Sequence, residues 1–193
     1  MAKKPIGNLI NMLPLKTIVE GLLFVADGPL SLEKLVEAIE ENISRESVEK
    51  VVESLVNEYD DLNRAFSLSL VAGGYQFRTK PDLAPHILRL KKKSPQTLSR
   101  SATETLAVIA YRQPILRAEL EKIRGVDSGG VIKTLLEKNL IHVVRREDNL
   151  PGRPMLYGTT AKFLEIYSLS DLKALPTIEE MEKLEPRDTR TLF

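Results

Sequence analysis

Two apolar helical stretches in this chain are each stopped by a proline, and the residues that follow run in step. Pro29, Leu30 and Leu35 match Pro114, Ile115 and Leu120 at the same internal spacing. This recurrence constrains the fold more than any single motif. One architecture used twice divides the 193 residues into two small domains, each burying its own core within ~100 residues.

The local pattern around each proline says what the architecture is. Leu15, Ile18, Val19, Leu22, Leu23 and Ala26 recur at the spacing of an amphipathic helix that Gly28-Pro29 ends. Ser31 is placed to cap a second helix with Leu32, Leu35, Val36 and Ile39 on its apolar side, and a third helix starts near Ser44 with Val48, Val51, Val52, Leu55, Val56 and Tyr59. Beyond Asn63 the period drops to two: Phe66, Leu68 and Leu70 alternate with Ser67, Ser69 and Val71, and Gly73-Gly74 turns the chain into Tyr75 and Phe77. Three helices followed by a hairpin is the order of a winged helix.

After a short helix from about Pro81 to Leu90 and the basic run Lys91-Lys92-Lys93-Ser94-Pro95, the order returns. Ser101 to Glu104 has the form of a capping box for a helix through Leu106, Ile109 and Ala110, which Gln113-Pro114 stops. A second helix runs to Gly125, a third from about Ser128 to Asn139, and Ile141, Val143 and Arg145 open a hairpin that returns through Met155 and Tyr157. The expected fold class is α+β, mainly α: two tandem winged-helix domains, each of three helices plus a β-hairpin wing. The expected boundaries are an extension over 1–14, a first domain over 15–90, a linker over 91–100, a second domain over 101–169, and a mobile tail over 170–193. A single helical domain with two hairpins is the alternative on the same pattern.

Chemistry is hard to assemble from these residues. Without cysteine there are no disulfides or thiolates, and a reducing cytoplasm is the simplest compartment. The longest apolar stretch, Leu22 to Ala26, falls far short of the ~18–20 residues of a membrane helix, so no membrane is expected. His86 and His142 fall in different expected domains, with no further donors at metal spacing. Gly125 to Gly130 imitates a phosphate-binding loop, but Val131 stands where the lysine belongs, which leaves a tight interhelical turn. Carboxylate pairs such as Glu40-Glu41, Asp60-Asp61 and Glu179-Glu180 lie at helix ends or in the tail. The expectation is no catalytic residue, no cofactor, no metal, and no enzyme.

Nucleic acid is the rival partner, since winged helices often read DNA with their third helix. The formal charge is only +1, from 28 Lys plus Arg against 27 Asp plus Glu. The first domain's third helix sets Arg45 and Lys50 against Glu46, Glu49, Glu53 and Glu58. The second has Lys133 and Lys138, with Arg145, Arg146 and Arg153 at its wing diluted by Glu147 and Asp148. That pattern allows weak or indirect DNA association, and a DNA-binding transcriptional regulator stands as the alternative function. More telling are apolar residues outside the helical stripes, Phe24 and Val25 in the first domain and Val108 and Tyr111 in the second. A helix that is apolar nearly all round needs cover on two sides.

Three blocks in order, Leu106 to Ile115, Ile123 to Ser128 and Pro151 to Thr160, supported upstream by Val19 to Ala26, resemble the segregation and condensation protein B family of bacteria. The likeness spans about Leu15 to Leu175, with Leu116 standing where the family more often has a capping Thr or Ser. It implies a homodimeric subunit that binds the kleisin ScpA and, through it, an SMC ATPase, in chromosome condensation and partition during cell division, in a cytoplasmic and nucleoid-associated setting. In the family the first domain dimerises and the second contributes to kleisin binding, with contacts from the first as well. The residues expected to touch the kleisin are Tyr111, Arg112, Gln113, Ile115, Arg124 and Tyr157; those expected at the dimer contact are Leu22, Phe24 and Val25.

Overall fold

A computed structural model describes residues 13–39, 43–91, 97–177 and 180. The chain divides into two compact units between residues 92 and 93. Its elements mix helix and strand and are mainly helical.

In the first unit α1 (Leu15–Val25), α2 (Leu32–Ile39) and α3 (Arg45–Asp61) precede the hairpin of β1 (Phe66–Val71) and β2 (Gly74–Thr79), and a 3-10 turn (Pro81–Leu83) leads into α4 (Ala84–Lys91). Ser44 caps α3 by accepting from the Ser47 N–H at 3.2 Å, as its residue type and place predict. Helix α1 ends at Val25, three residues before the Gly28-Pro29 break, because Ala26 is already extended. Val19, Leu23, Leu35, Ile39, Val48, Val52, Leu55 and Leu68 form the core. Each such side chain contributes ~1.5–3 kcal/mol by leaving water. Tyr59, Phe66 and Phe77 close one end as tilted and edge-on rings 4.8 to 5.7 Å apart.

The hairpin turn sits one residue earlier than expected, on Ala72 and Gly73, both at positive φ, which is the backbone of a two-residue turn. Gly74 belongs to β2. A Cβ there would lie 2.7 Å from the Leu30 carbonyl carbon, so glycine lets Leu30 pair with Tyr75 on the far side of β2.

The second unit repeats this order and adds to it. Helix α5 (Arg100–Arg112), the short β3 (Ile115–Leu116), α6 (Arg117–Arg124), α7 (Gly129–Glu137), β4 (Ile141–Arg146) and β5 (Met155–Thr159) are followed by α8 (Ala161–Ile166) and a 3-10 turn (Leu172–Ala174). The sheet order is β3-β5-β4. Ala102, Thr105, Leu106, Ile109 and Ala110 give α5 one buried face against Leu120, Ile132, Leu135 and Ile141.

Several boundaries differ from the sequence reading. Helix α5 starts at Arg100, capped by Ser99 through the Ala102 N–H at 3.2 Å, and the Ser101–Glu104 box does not form because Glu104 is held by Arg100 and Arg124. Helix α4 runs to Lys91, so both edges of the expected linker are helical, while 92–96 lie outside the described residues. Each wing was expected to be a plain hairpin; in the second unit β3 adds a strand, and α8 is a further helix, capped by Thr160 through the Phe163 N–H. The tail is not wholly outside the fold: Leu175 packs on the second core. The Thr177–Glu180 box forms, Glu180 accepting from the Thr177 N–H at 2.8 Å.

Candidate protein-interaction surfaces

The joint between α5 and β5 gathers most of the residues singled out in the second unit, in three different environments. Ile115 and Tyr157 face each other across β3 and β5 and are buried in the core, so they shape the surface from beneath. Gln113 ends α5 and lays its side chain over β5. Its Oε1 accepts from the Thr159 N–H at 2.7 Å, and its Nε2 donates to Thr159 Oγ1 at 2.9 Å and to the Ala110 carbonyl at 3.1 Å. This crossing depends on Gly158, where a Cβ would meet Val144 Cγ2 at 2.8 Å and Gln113 Oε1 at 2.9 Å. The separated blocks around Gln113 and Gly158 are thus two halves of one contact.

Tyr111 and Arg112 point outward. Arg112 is exposed and has no ion-pair partner among the described residues. Tyr111, 43% exposed, donates its hydroxyl to the Pro176 carbonyl at 2.6 Å and stands at the rim of an apolar cavity of about 260 Å³. Leu106, Ala107 and Ala110 of α5 form one wall, and Phe163, Tyr167 and Leu175 form another. Burial raises the Tyr167 phenol above its ordinary pKa. The α8 side of this cavity is not among the expected contacts; Thr160 as a cap, followed by Phe163, Leu164 and Tyr167 at helical spacing, is the signal for it in the sequence.

Arg124 is different again. Its side chain is only 10% exposed, and it donates to the Ser101 carbonyl at 3.0 Å, to Thr105 Oγ1, to Ser101 Oγ at 3.4 Å and to Glu104 at 2.9 Å. Those bonds tie α6 to α5. A second tie holds the α6–α7 turn: Arg117 bonds Glu121 at 2.7 Å and Asp127 at 2.5 Å, and Glu121 accepts the Ser128 N–H at 3.0 Å. That backbone N–H first, then Arg117, holds the Glu121 carboxyl below its ordinary pKa.

In the first unit Phe24 is 79% and Val25 74% exposed at the end of α1, while Leu22 is half-buried against the core. Two adjacent large apolar side chains are thus left in water, where single scattered ones would be ordinary. At the second wing Arg145 lies 3.8 Å from Glu147 and Arg153 2.6 Å from Asp148, so much of its positive charge is answered locally. His86 and His142 are both exposed and lie in separate units. Among the described residues no cluster of three or more His, Asp or Glu could hold a metal ion, and no helix is long and apolar enough to cross a membrane.

Two compact units, each with its own apolar core and built mainly of helix with short strands, set the class of fold. The chain belongs to the segregation and condensation protein B family: the model described as "Segregation and condensation complex subunit ScpB" matches residues 17–178. Segregation and condensation protein B of Syntrophotalea carbinolica is 46% identical over 179 residues, covering 93% of this chain and 89% of the relative. Among solved structures, ScpB of Mycobacterium tuberculosis is 31% identical, with coverage of 87% of this chain and 99% of that one and a TM-score of 0.38. A dimer of an ScpB N-terminal domain complexed with an ScpA peptide is 32% identical, with coverage of 40% and 94% and a TM-score of 0.36.

Proposed function

We propose that this chain is a non-enzymatic adaptor that works as a homodimer, grips the kleisin ScpA, and through it joins an SMC ATPase on the chromosome. The reading takes the two units as tandem winged helices, the first for dimerisation and the second for kleisin capture. Membership of a family of segregation and condensation subunits supports the process. The observation that carries the mechanism is apolar surface without cover: Phe24 and Val25 exposed on one unit, and on the other a cavity beside Tyr111 that opens onto core residues.

In this reading Leu22 supports Phe24 and Val25 at the dimer contact. Tyr111 and Arg112 meet the kleisin, an apolar face of which fills the cavity while the guanidinium bonds at its rim. Gln113, Ile115, Arg124 and Tyr157 hold that surface in shape. The DNA-regulator alternative has less to work with, because the wing arginines are already near carboxylates. Arg112→Glu tests the assignment. Titration calorimetry with ScpA should show affinity falling about tenfold or more with an unchanged melting midpoint; parental affinity in that variant places the kleisin elsewhere.

A further inference from the structure

The hairpins of the two units occupy the same place in their sheets. The second strand lies inside, β2 between β1 and Leu30, β5 between β4 and β3. Strands β1 and β4 are therefore equivalent outer strands, and among the described residues nothing pairs with the free edge of either. Proteins guard such edges with charge, proline or a bulge, because a bare row of N–H and C=O groups recruits another strand.

One of the two copies is guarded and the other is not. In β4 the register shifts around Val144, an extra residue between Val143 and Arg145, and Arg145 and Arg146 are exposed. In β1 the sequence Phe66-Ser67-Leu68-Ser69-Leu70-Val71 holds no charge, no proline and no glycine. Its pairing with β2 runs unbroken from Phe66 opposite Thr79 to Val71 opposite Gly74. Leu70 is 46% exposed.

From this asymmetry we propose that the free edge of β1 is a docking site for one extended, uncharged segment of another polypeptide, which adds as a further strand. Main-chain hydrogen bonds supply the affinity, and alternate side chains supply the choice. An apolar residue of the incoming strand covers Leu70, while Ser67 and Ser69 on the other face leave room for larger polar neighbours. A charged segment meets no counter-charge on β1.

A second copy of this chain is the less suitable occupant. Six paired residues bury only a few hundred Å² of surface, which suits one short segment held reversibly and is well under the ~1,200 Å² of a stable protein pair. That judgement also rests on the dimer contact proposed at Phe24 and Val25, since a second self-pairing surface would propagate an open chain instead of closing.

The test uses the full isotopically labelled chain and a capped heptapeptide alternating valine with serine or threonine. Its twin carries N-methyl groups along one edge. Saturable amide shifts confined to residues 66–71 are expected, with the twin binding about tenfold more weakly. The double variant Ser69→Arg, Leu70→Arg, which copies the guard of β4, should lose the peptide and keep its melting midpoint. Phe24→Asp should abolish the dimer and leave peptide binding intact, so the two readings fail separately. The proposal is overturned by the absence of saturable shifts up to millimolar peptide, by equal binding of the twin, or by shifts elsewhere. Growth of the parent beyond a dimer that the arginine pair reverses assigns the edge to a second copy and overturns it too.

Discussion

Replacing Arg124 by Ala should cost the second unit much of its stability. The guanidinium makes four bonds across the α5–α6 contact and is nearly buried. Hydrogen bonds to a charged group are worth ~1.5–3 kcal/mol each, but the sum overstates the loss. Thr105 keeps its own bond to the Ser101 carbonyl at 2.8 Å, Glu104 keeps Arg100 at 2.9 Å, and alanine needs no desolvation of a charge. A net loss of about 2–3 kcal/mol remains, and for a unit of this size each kcal/mol moves the midpoint by ~4–8 °C. A scanning-calorimetry midpoint lowered by about 10–20 °C is expected. If the midpoint stays within a few degrees while ScpA binding collapses, the internal clamp is the wrong account and Arg124 is a direct contact.

Gly158→Ala should destabilise by about 1–3 kcal/mol, read from urea unfolding, because the new methyl meets the stiff Val144 side chain and the crossing Gln113; an unchanged urea midpoint removes the close-approach explanation. Glu121 has its pKa lowered on folding, so the stability it contributes is full above the ordinary carboxylate range and is lost as pH falls through its folded value. Glu121→Gln should therefore flatten the acid limb of stability against pH below about 5, and parallel curves for parent and variant would contradict this.

Much of the helical order was legible in sequence, since the period of Val48, Val52 and Leu55 or of Leu106 and Ile109 reports a buried face directly. Capping was legible where one side chain decides it, as at Ser44, and misleading where a carboxylate has competing arginines, as at Glu104. The bulge at Val144 falls on the Val143-Val144 doublet, where apolar and polar residues stop alternating, a mark too short to be read on its own. Candidate contacts were harder to read. Tyr111 and Arg112 are exposed as their types and positions suggest, but Arg124 is turned inward by Ser101, Thr105 and Glu104, partners from another helix that no spacing along α6 reveals. The cavity needed α8, which lies inside the expected second domain but was not read as a helix, and Leu175, which lies where charges and prolines made the sequence look like a tail.

Light scattering of the purified chain, alone and with ScpA, puts the adaptor reading to its most direct trial. Alone, the chain should have twice the mass of its 21.7 kDa polypeptide, and micromolar ScpA should shift all of it into a heavier species. A particle of single-chain mass that ScpA does not change would contradict the account.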